Sequence, residues 1–153
     1  MIIKMNFSQE NVFLNVSESS INSLLKYISE VAVITGYTTD AKALNKSFID
    51  REKEFSTGLE DGFAIPHAKT AAVKKAGFLY FRLANPLKWQ TYDDQTVTDV
   101  FALMVPPQNV GNEHLKMLAN LSTALLEHDF KKELRRMTNR NEIANFINER
   151  IGE

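Results

Sequence analysis

The chain of 153 residues predicts an α/β fold, a single mixed β-sheet with helices on both faces. Two observations carry this. Apolar residues recur with period two in some short segments and with helical period in others, and the two kinds alternate along the chain. Apolar residues make up 44% and charged residues 24%, the balance of an ordinary globular protein. The length predicts one domain over residues 1–153, and no repeat, low-complexity tract or linker divides it.

The elements follow in order. "NVFLNV" alternates Val12, Leu14 and Val16 as a strand, and Ser17 then stands as a helix N-cap. Ile21, Leu24, Leu25, Ile28 and Ala32 recur at helical spacing until Gly36 stops the pattern. Thr39 and Asp40 cap a second helix with Ala41, Leu44, Phe48 and Ile49 on its apolar face and Arg51 and Glu52 at its far end. "FAI", "GFLYFRL" and "VTDVFALMV" read as strands, the last two bounded by Gly77, Pro86 and Pro106. Asn112 opens an apolar helix through Leu115, Leu118, Leu121 and Leu125, and Ile143, Phe146, Ile147 and Ile151 mark a final one.

Composition excludes several functions. No apolar run approaches the roughly 18–20 residues that cross a bilayer, and the N-terminus has no signal-peptide core, so a cytoplasmic chain without membrane insertion is expected. Cysteine is absent, which removes disulfides, thiolate nucleophiles and cysteine-ligated metals. A net charge of −1 exerts no pull on nucleic acid, and the local "KKELRRMTNR" run reads as a solvated helix face. No cofactor is expected, and no metal, since no two histidines stand at ligand spacing.

The chain has three histidines. His128 in "LLEHDF" reads as a structural residue near a helix C-terminus, where the dipole favours a cation. His114 falls in the first turn of the long apolar helix, a place suited to an anion, although a surface histidine there needs no function. His67 stands apart: Gly62 permits a turn, "FAI" anchors the segment in the sheet, and Pro66 stiffens the backbone just before it. It is expected at the C-terminal end of a strand, where open α/β sheets place their chemistry, with a satisfied core histidine as the alternative. Neither a phosphate-binding Gly-x4-Gly-Lys-Ser/Thr loop nor a Gly-x-Ser-x-Gly elbow is present.

"REKEFSTGLEDGFAIPHAKTAAVKKAG" resembles the active-site stretch of the fructose/mannitol-type enzyme IIA of the bacterial phosphoenolpyruvate-dependent sugar phosphotransferase system. The matching residues are Arg51, Glu52, Ser56, Thr57, Gly58, Gly62, Ala64, Ile65, Pro66 and His67. "LKWQTYDDQTVTDVFALMVPP" and "NEHLKMLANLSTALLEHDF" are similar to the family's tryptophan segment and His-Leu helix, so the resemblance spans the chain. Asp94, where members often have glycine, and the "GLEDG" turn depart from the pattern.

The resemblance implies the sandwich of the mannitol/fructose IIA domains and a phosphotransferase role. His67 would accept a phosphoryl group from HPr and pass it to a cysteine of an enzyme IIB, with the membrane component IIC an indirect partner. His114 and Arg51 would assist it, and the Thr57 hydroxyl and the backbone N–H of Ala68 would bind phosphate. Other readings stay open: Arg51 as a clamp on the loop, Ser56 and Thr57 as turn and cap residues, and Phe55, Phe63 and Ile65 as either docking or core residues. The wording "AIPHAKTAAVKKA" is fructose-like. A mannitol or galactitol branch, and a nitrogen-regulatory IIA that binds other proteins, are the alternatives.

Overall fold

The structure, a computed structural model, describes residues 7–108 and 112–152; the side chains of 112–115 are outside the description. Two compact units are distinguished, Phe13–Gln108 and a second that combines Met1–Val12 with Asn109–Glu153. The described residues form five α-helices and one mixed sheet of five strands, the α/β class that the patterning predicts.

In the first unit, strand β1 (Val12–Val16, its first residue counted with the other unit) leads to helix α1 (Ile21–Ile34). The cap of α1 is Ser20 rather than Ser17: Ser20 Oγ accepts the Ser23 N–H at 3.0 Å while Ser23 Oγ accepts the Ser20 N–H at 3.3 Å. In "SESS" several residues can cap, and only this reciprocal pair closes a box. The helix ends as expected at Gly36, where the N–H groups of Gly36 and Tyr37 turn back to the carbonyls of Val33 and Ala32. Helix α2 (Ala41–Glu54) starts at the predicted Asp40, whose carboxylate accepts the Ala43 N–H at 3.1 Å.

Strands β2 (Phe63–Ala64), β3 (His67–Lys69), β4 (Gly77–Leu87) and β5 (Val97–Val105) complete the sheet. Its order is β1-β4-β5-β2, and β3 also pairs with β5. β4 runs antiparallel to β5, whereas β2 and β3 both run parallel to it. β4 passes beyond its expected end at Pro86 because the register slips: Arg82 faces Asp99 but Leu87 faces Val97, and the exposed Ala84, Asn85 and Pro86 form the irregular stretch. A proline is tolerated where the ladder is already broken.

Strand alternation divides the side chains between the two faces. Leu79, Phe81, Val100, Ala102 and Met104 join Leu24, Leu25 and Ile28 of α1 and Leu44 and Phe48 of α2 in one core. The opposite face is also buried and is aromatic: Phe101 packs against Phe63, Phe78 and Tyr80 at centroid distances of 6.3, 5.7 and 4.9 Å. A polar group sits within it. The Tyr80 hydroxyl donates to Asp99, whose other oxygen accepts the Thr98 hydroxyl at 2.7 Å, and Arg82 Nε donates to the Tyr80 oxygen at 3.0 Å. Burial first, and the Asp99 charge second, push the Tyr80 hydroxyl well above its ordinary pKa.

The second unit holds α3 (Asn112–Ala124), α4 (His128–Arg136) and α5 (Arg140–Ile151). Phe130 stacks on Phe146 at 5.3 Å with the Arg150 guanidinium over both rings. Arg140 donates to the carbonyls of Val12 and Gln9 at 3.0 and 2.7 Å and ties α5 to the N-terminal segment. The basic run forms part of α4. It is solvated at Lys132, Arg135 and Arg136, but Lys131 and Leu134 within it are buried, as is Phe130 just before it. His128 departs from expectation, because α3 has already ended at Ala124 and His128 opens α4, at the end of a helix whose dipole disfavours a cation. No helix among the described residues is long and apolar enough to cross a membrane.

Tyr80→Phe should lower stability by about 1–3 kcal/mol by taking a donor from the buried Asp99; urea unfolding measures it.

Candidate active site

β2 and β3 form one strand interrupted at Ile65-Pro66, and both halves use the same edge of β5. Proline has no N–H to offer, but its carbonyl accepts the Leu103 N–H at 2.9 Å, so pairing resumes at once. His67 is therefore the first residue of β3, opposite Leu103, and not the last residue of a strand as expected. The bonds Leu103 N–H to Pro66 and Thr70 N–H to Val105 alternate along this ladder, so the intervening Ala68 directs its N–H toward β5 as well. Ala68 is buried on the face of α1 and α2, and the amide expected to bind phosphate falls within the ladder.

Two loops frame this strand. Leu59 N–H donates to Phe63 and Phe63 N–H to Glu60, and the central residues Asp61 and Gly62 have φ of 59° and 83°. Aspartate followed by glycine with both φ positive is the pattern of a tight hairpin turn. The second loop, 89–95, is laced onto the first. Ser56 Oγ donates to the Gln90 carbonyl at 2.6 Å, Tyr92 N–H donates to Leu59 at 3.0 Å, and Asp61 N–H donates to Asp93 Oδ2 at 2.9 Å. That last bond holds the Asp93 carboxyl below its ordinary pKa. The loops approach so closely that a Cβ on Gly58 would lie 2.3 Å from the Gln90 carbonyl oxygen. Asp94 has φ of 59°, a conformation that suits glycine and that aspartate tolerates.

Glu52, in the last turn of α2, gathers the loops. Its Oε2 accepts the Thr57 N–H at 2.8 Å and the Trp89 indole N–H at 3.0 Å, and its Oε1 accepts the Thr57 hydroxyl at 2.6 Å. The Thr57 hydroxyl proton, expected to bind phosphate, is directed at Glu52 instead, and Thr57 is buried. Thr57 in turn accepts the Ile65 N–H at 3.0 Å through its carbonyl, two residues before His67. Arg51 Nη1 donates to the Phe55 carbonyl at 2.9 Å, as a clamp on the loop would, and its charge also reaches His67.

His67 is half-buried. Nδ1 is enclosed without a hydrogen-bond partner, which leaves Nε2 as the nitrogen open to the outside. Desolvation and then the Arg51 charge hold the ring below the ordinary imidazole pKa, against weaker pulls from the Ile65 carbonyl and Glu52. Both causes favour the neutral ring. A neutral imidazole on a rigid mount, with one nitrogen exposed and a cation nearby, is arranged as a nucleophile toward an anionic electrophile.

His67, Arg51, Thr57 and Ala68 belong to one unit. His114 lies in α3, and its side chain falls outside the described residues. Among the open docking candidates, Phe63 is core, Ile65 is half-buried and Phe55 is 76% exposed. Tyr92, on the facing loop, is 81% exposed and was not singled out from sequence. Sequence reasoning also left Glu52 and Trp89 without roles; the only signals were Glu52's place beside Arg51 and the rarity of tryptophan. No cluster of potential metal ligands occurs among the described residues.

Comparison with known proteins identifies the family and the fold. The family model described as "Phosphoenolpyruvate-dependent sugar phosphotransferase system, EIIA 2" matches residues 5–150. A fructose-like EIIA component of the sugar phosphotransferase system from Escherichia coli K12 is 31% identical over 121 residues, 79% of this chain and 81% of that protein. The crystal structure of nitrogen regulatory protein IIA-Ntr from Neisseria meningitidis superposes with a TM-score of 0.81 at 25% identity, covering 91% of this chain and 94% of that one. A complex of mannitol enzyme IIA with phosphorylated enzyme IIB from Escherichia coli shares the fold, with a TM-score of 0.75 at 22% identity over 92% and 96% of the chains. The chain spans about a fifth, 21% and 22%, of two curated EIIABC relatives that it also matches.

Gly58→Ala should cost about 1–3 kcal/mol by forcing the loops apart, as measured by urea unfolding. His67 should titrate below about 6.5 by NMR. Because its pKa is lowered on folding, its contribution to stability is complete above that value and is lost as pH falls through the folded midpoint. Thermal unfolding of His67→Gln should show a weaker acid dependence.

Proposed function

Because this chain belongs to the EIIA 2 family of the phosphoenolpyruvate-dependent sugar phosphotransferase system, phosphoryl-carrying transferases that work with an EIIB partner, we propose that His67 is its phosphoryl acceptor. The donor is the phosphohistidine of HPr and the recipient a cysteine of an enzyme IIB, which drives sugar uptake through IIC. The observation that carries this reading is the half-buried His67 with Nδ1 enclosed and Nε2 open.

The step balances without a proton. The Nε2 lone pair forms the new P–N bond, the donor's P–N bond breaks, and its electron pair returns to the donor imidazole. His67 keeps its proton on the enclosed Nδ1 throughout. In the second transfer the IIB thiolate attacks phosphorus and the electron pair returns to Nε2. The transition state places charge on the equatorial oxygens, so the protein's task is to position and stabilise. Arg51 supplies a cation that already acts on His67, and His114 is assigned a donor role by its place in the family motif. Phe55 and Tyr92, exposed on the paired loops, suit transient docking of either partner. We take residues 1–153 as one IIA domain, since the family match crosses both compact units, and place it in the cytoplasm.

The sugar is proposed to be of the fructose type, supported by the fructose-like relative. A regulatory role, supported by the likeness to IIA-Ntr, is the second reading. Incubation with phosphoenolpyruvate, enzyme I and HPr should add one acid-labile phosphoryl group to the wild type and none to His67→Ala, as read by intact mass. Discharge by an added IIB supports transport. Stable retention of the group against every IIB tried favours regulation, and an unmodified wild type would refute the carrier reading.

A further inference from the structure

We infer that Glu52 is a positioning residue for phosphoryl transfer, a carboxylate that holds the mount of His67 through Thr57 and the facing loop through Trp89. The inference rests on the phosphocarrier reading of His67.

The argument begins with valence. A carboxylate in a half-buried site needs donors, and Glu52 has three, all neutral: the Thr57 N–H, the Thr57 hydroxyl and the Trp89 indole N–H. Among the described residues no cation lies within ion-pair distance of it, and the adjacent Arg51 donates to Phe55 instead. A glutamate confined to helix capping or surface charge would have no use for donors drawn from separate loops. Trp89 is 37 positions away in the chain, yet its indole is 8% exposed and aimed at Oε2.

The bonds also lead somewhere. Glu52 fixes Thr57 at both its N–H and its hydroxyl; the Thr57 carbonyl fixes the Ile65 N–H; Ile65 precedes Pro66, and the Pro66 carbonyl pairs with Leu103. His67 follows directly. From the other side, Trp89 and Gln90 hold the loop bearing Ser56, so one carboxylate sets the spacing of the walls on either side of the Thr57 segment. Its negative charge also favours a protonated His67 ring, which opposes Arg51 and moderates the positive field at the nucleophile.

Two substitutions separate position from charge. Glutamine can keep an oxygen at the Oε2 site for the Thr57 and Trp89 N–H groups and offer its amide to a reoriented Thr57 hydroxyl, so Glu52→Gln retains the arrangement without charge. Glu52→Ala removes the arrangement. Phosphoryl uptake from phospho-HPr should fall about 100-fold in Glu52→Ala, the cost of roughly an ångström of misplacement, with kcat rather than KM affected. Glu52→Gln should remain within a few-fold of wild type. Nitrogen NMR of His67 should show one defined tautomer in the wild type and in Glu52→Gln and an averaged signal in Glu52→Ala.

Wild-type uptake in Glu52→Ala, or a loss in Glu52→Gln as large as in Glu52→Ala, would overturn the inference. Should Glu52→Ala not fold, Thr57→Val, which deletes only the hydroxyl donor, should slow uptake about 10-fold by loosening the same mount; an unchanged rate would count against it. If the wild type accepts no phosphoryl group, the carrier reading fails by itself, and the tautomer comparison still decides whether Glu52 orients the ring.

Discussion

The site depends on one parallel ladder that survives a proline. β5 is a long buried strand, and along a single edge it pairs first with Phe63–Ala64 and then with His67–Lys69. Pro66 removes one donor from that edge but leaves its carbonyl in register, so the break bends the chain without releasing it. His67 is thereby held by the sheet and by a residue whose φ is fixed. A histidine on an ordinary loop would have to be ordered each time a partner docked, at a cost in conformational entropy.

The loops around the strand apply the same economy. Neither is a regular element, yet their backbone and side-chain groups are paired with one another and with the end of α2. The turn needs Gly62 for its positive φ, and the approach of the loops needs Gly58 because no side chain fits against the Gln90 carbonyl. Polar residues otherwise suited to bind phosphate are used in building this frame. Thr57 and Ser56 donate to Glu52 and Gln90, so neither hydroxyl proton is directed outward.

Much of this was legible in the sequence where cause is local. Apolar patterns identified β1, β2, β4, β5 and four of the helices, whereas β3 was not foreseen; Asp40 announced α2, and Gly36 closed α1. The basic run read as a wholly solvated helix face because the apolar positions of α4, Phe130 just before the run and Leu134 within it, are few. The cap of α1 was misplaced because Ser17, Ser19 and Ser20 are equivalent until Ser23 is seen to answer one of them. In the site, His67 stood out, but the duty of Thr57 depends on Glu52, and Glu52 depends on a tryptophan far along the chain. Pairings of that kind have no local signature.

The broken strand also bears on solubility. An outer strand offers a row of backbone groups to any other chain, and a long flat one invites stacking into aggregates. Here that border is cut into lengths of two and three residues by Pro66, screened at Ile65 by the Thr57 carbonyl, and finished with the exposed charge of Lys69. The interruption that fixes His67 thus also denies other chains a template on which to add a strand.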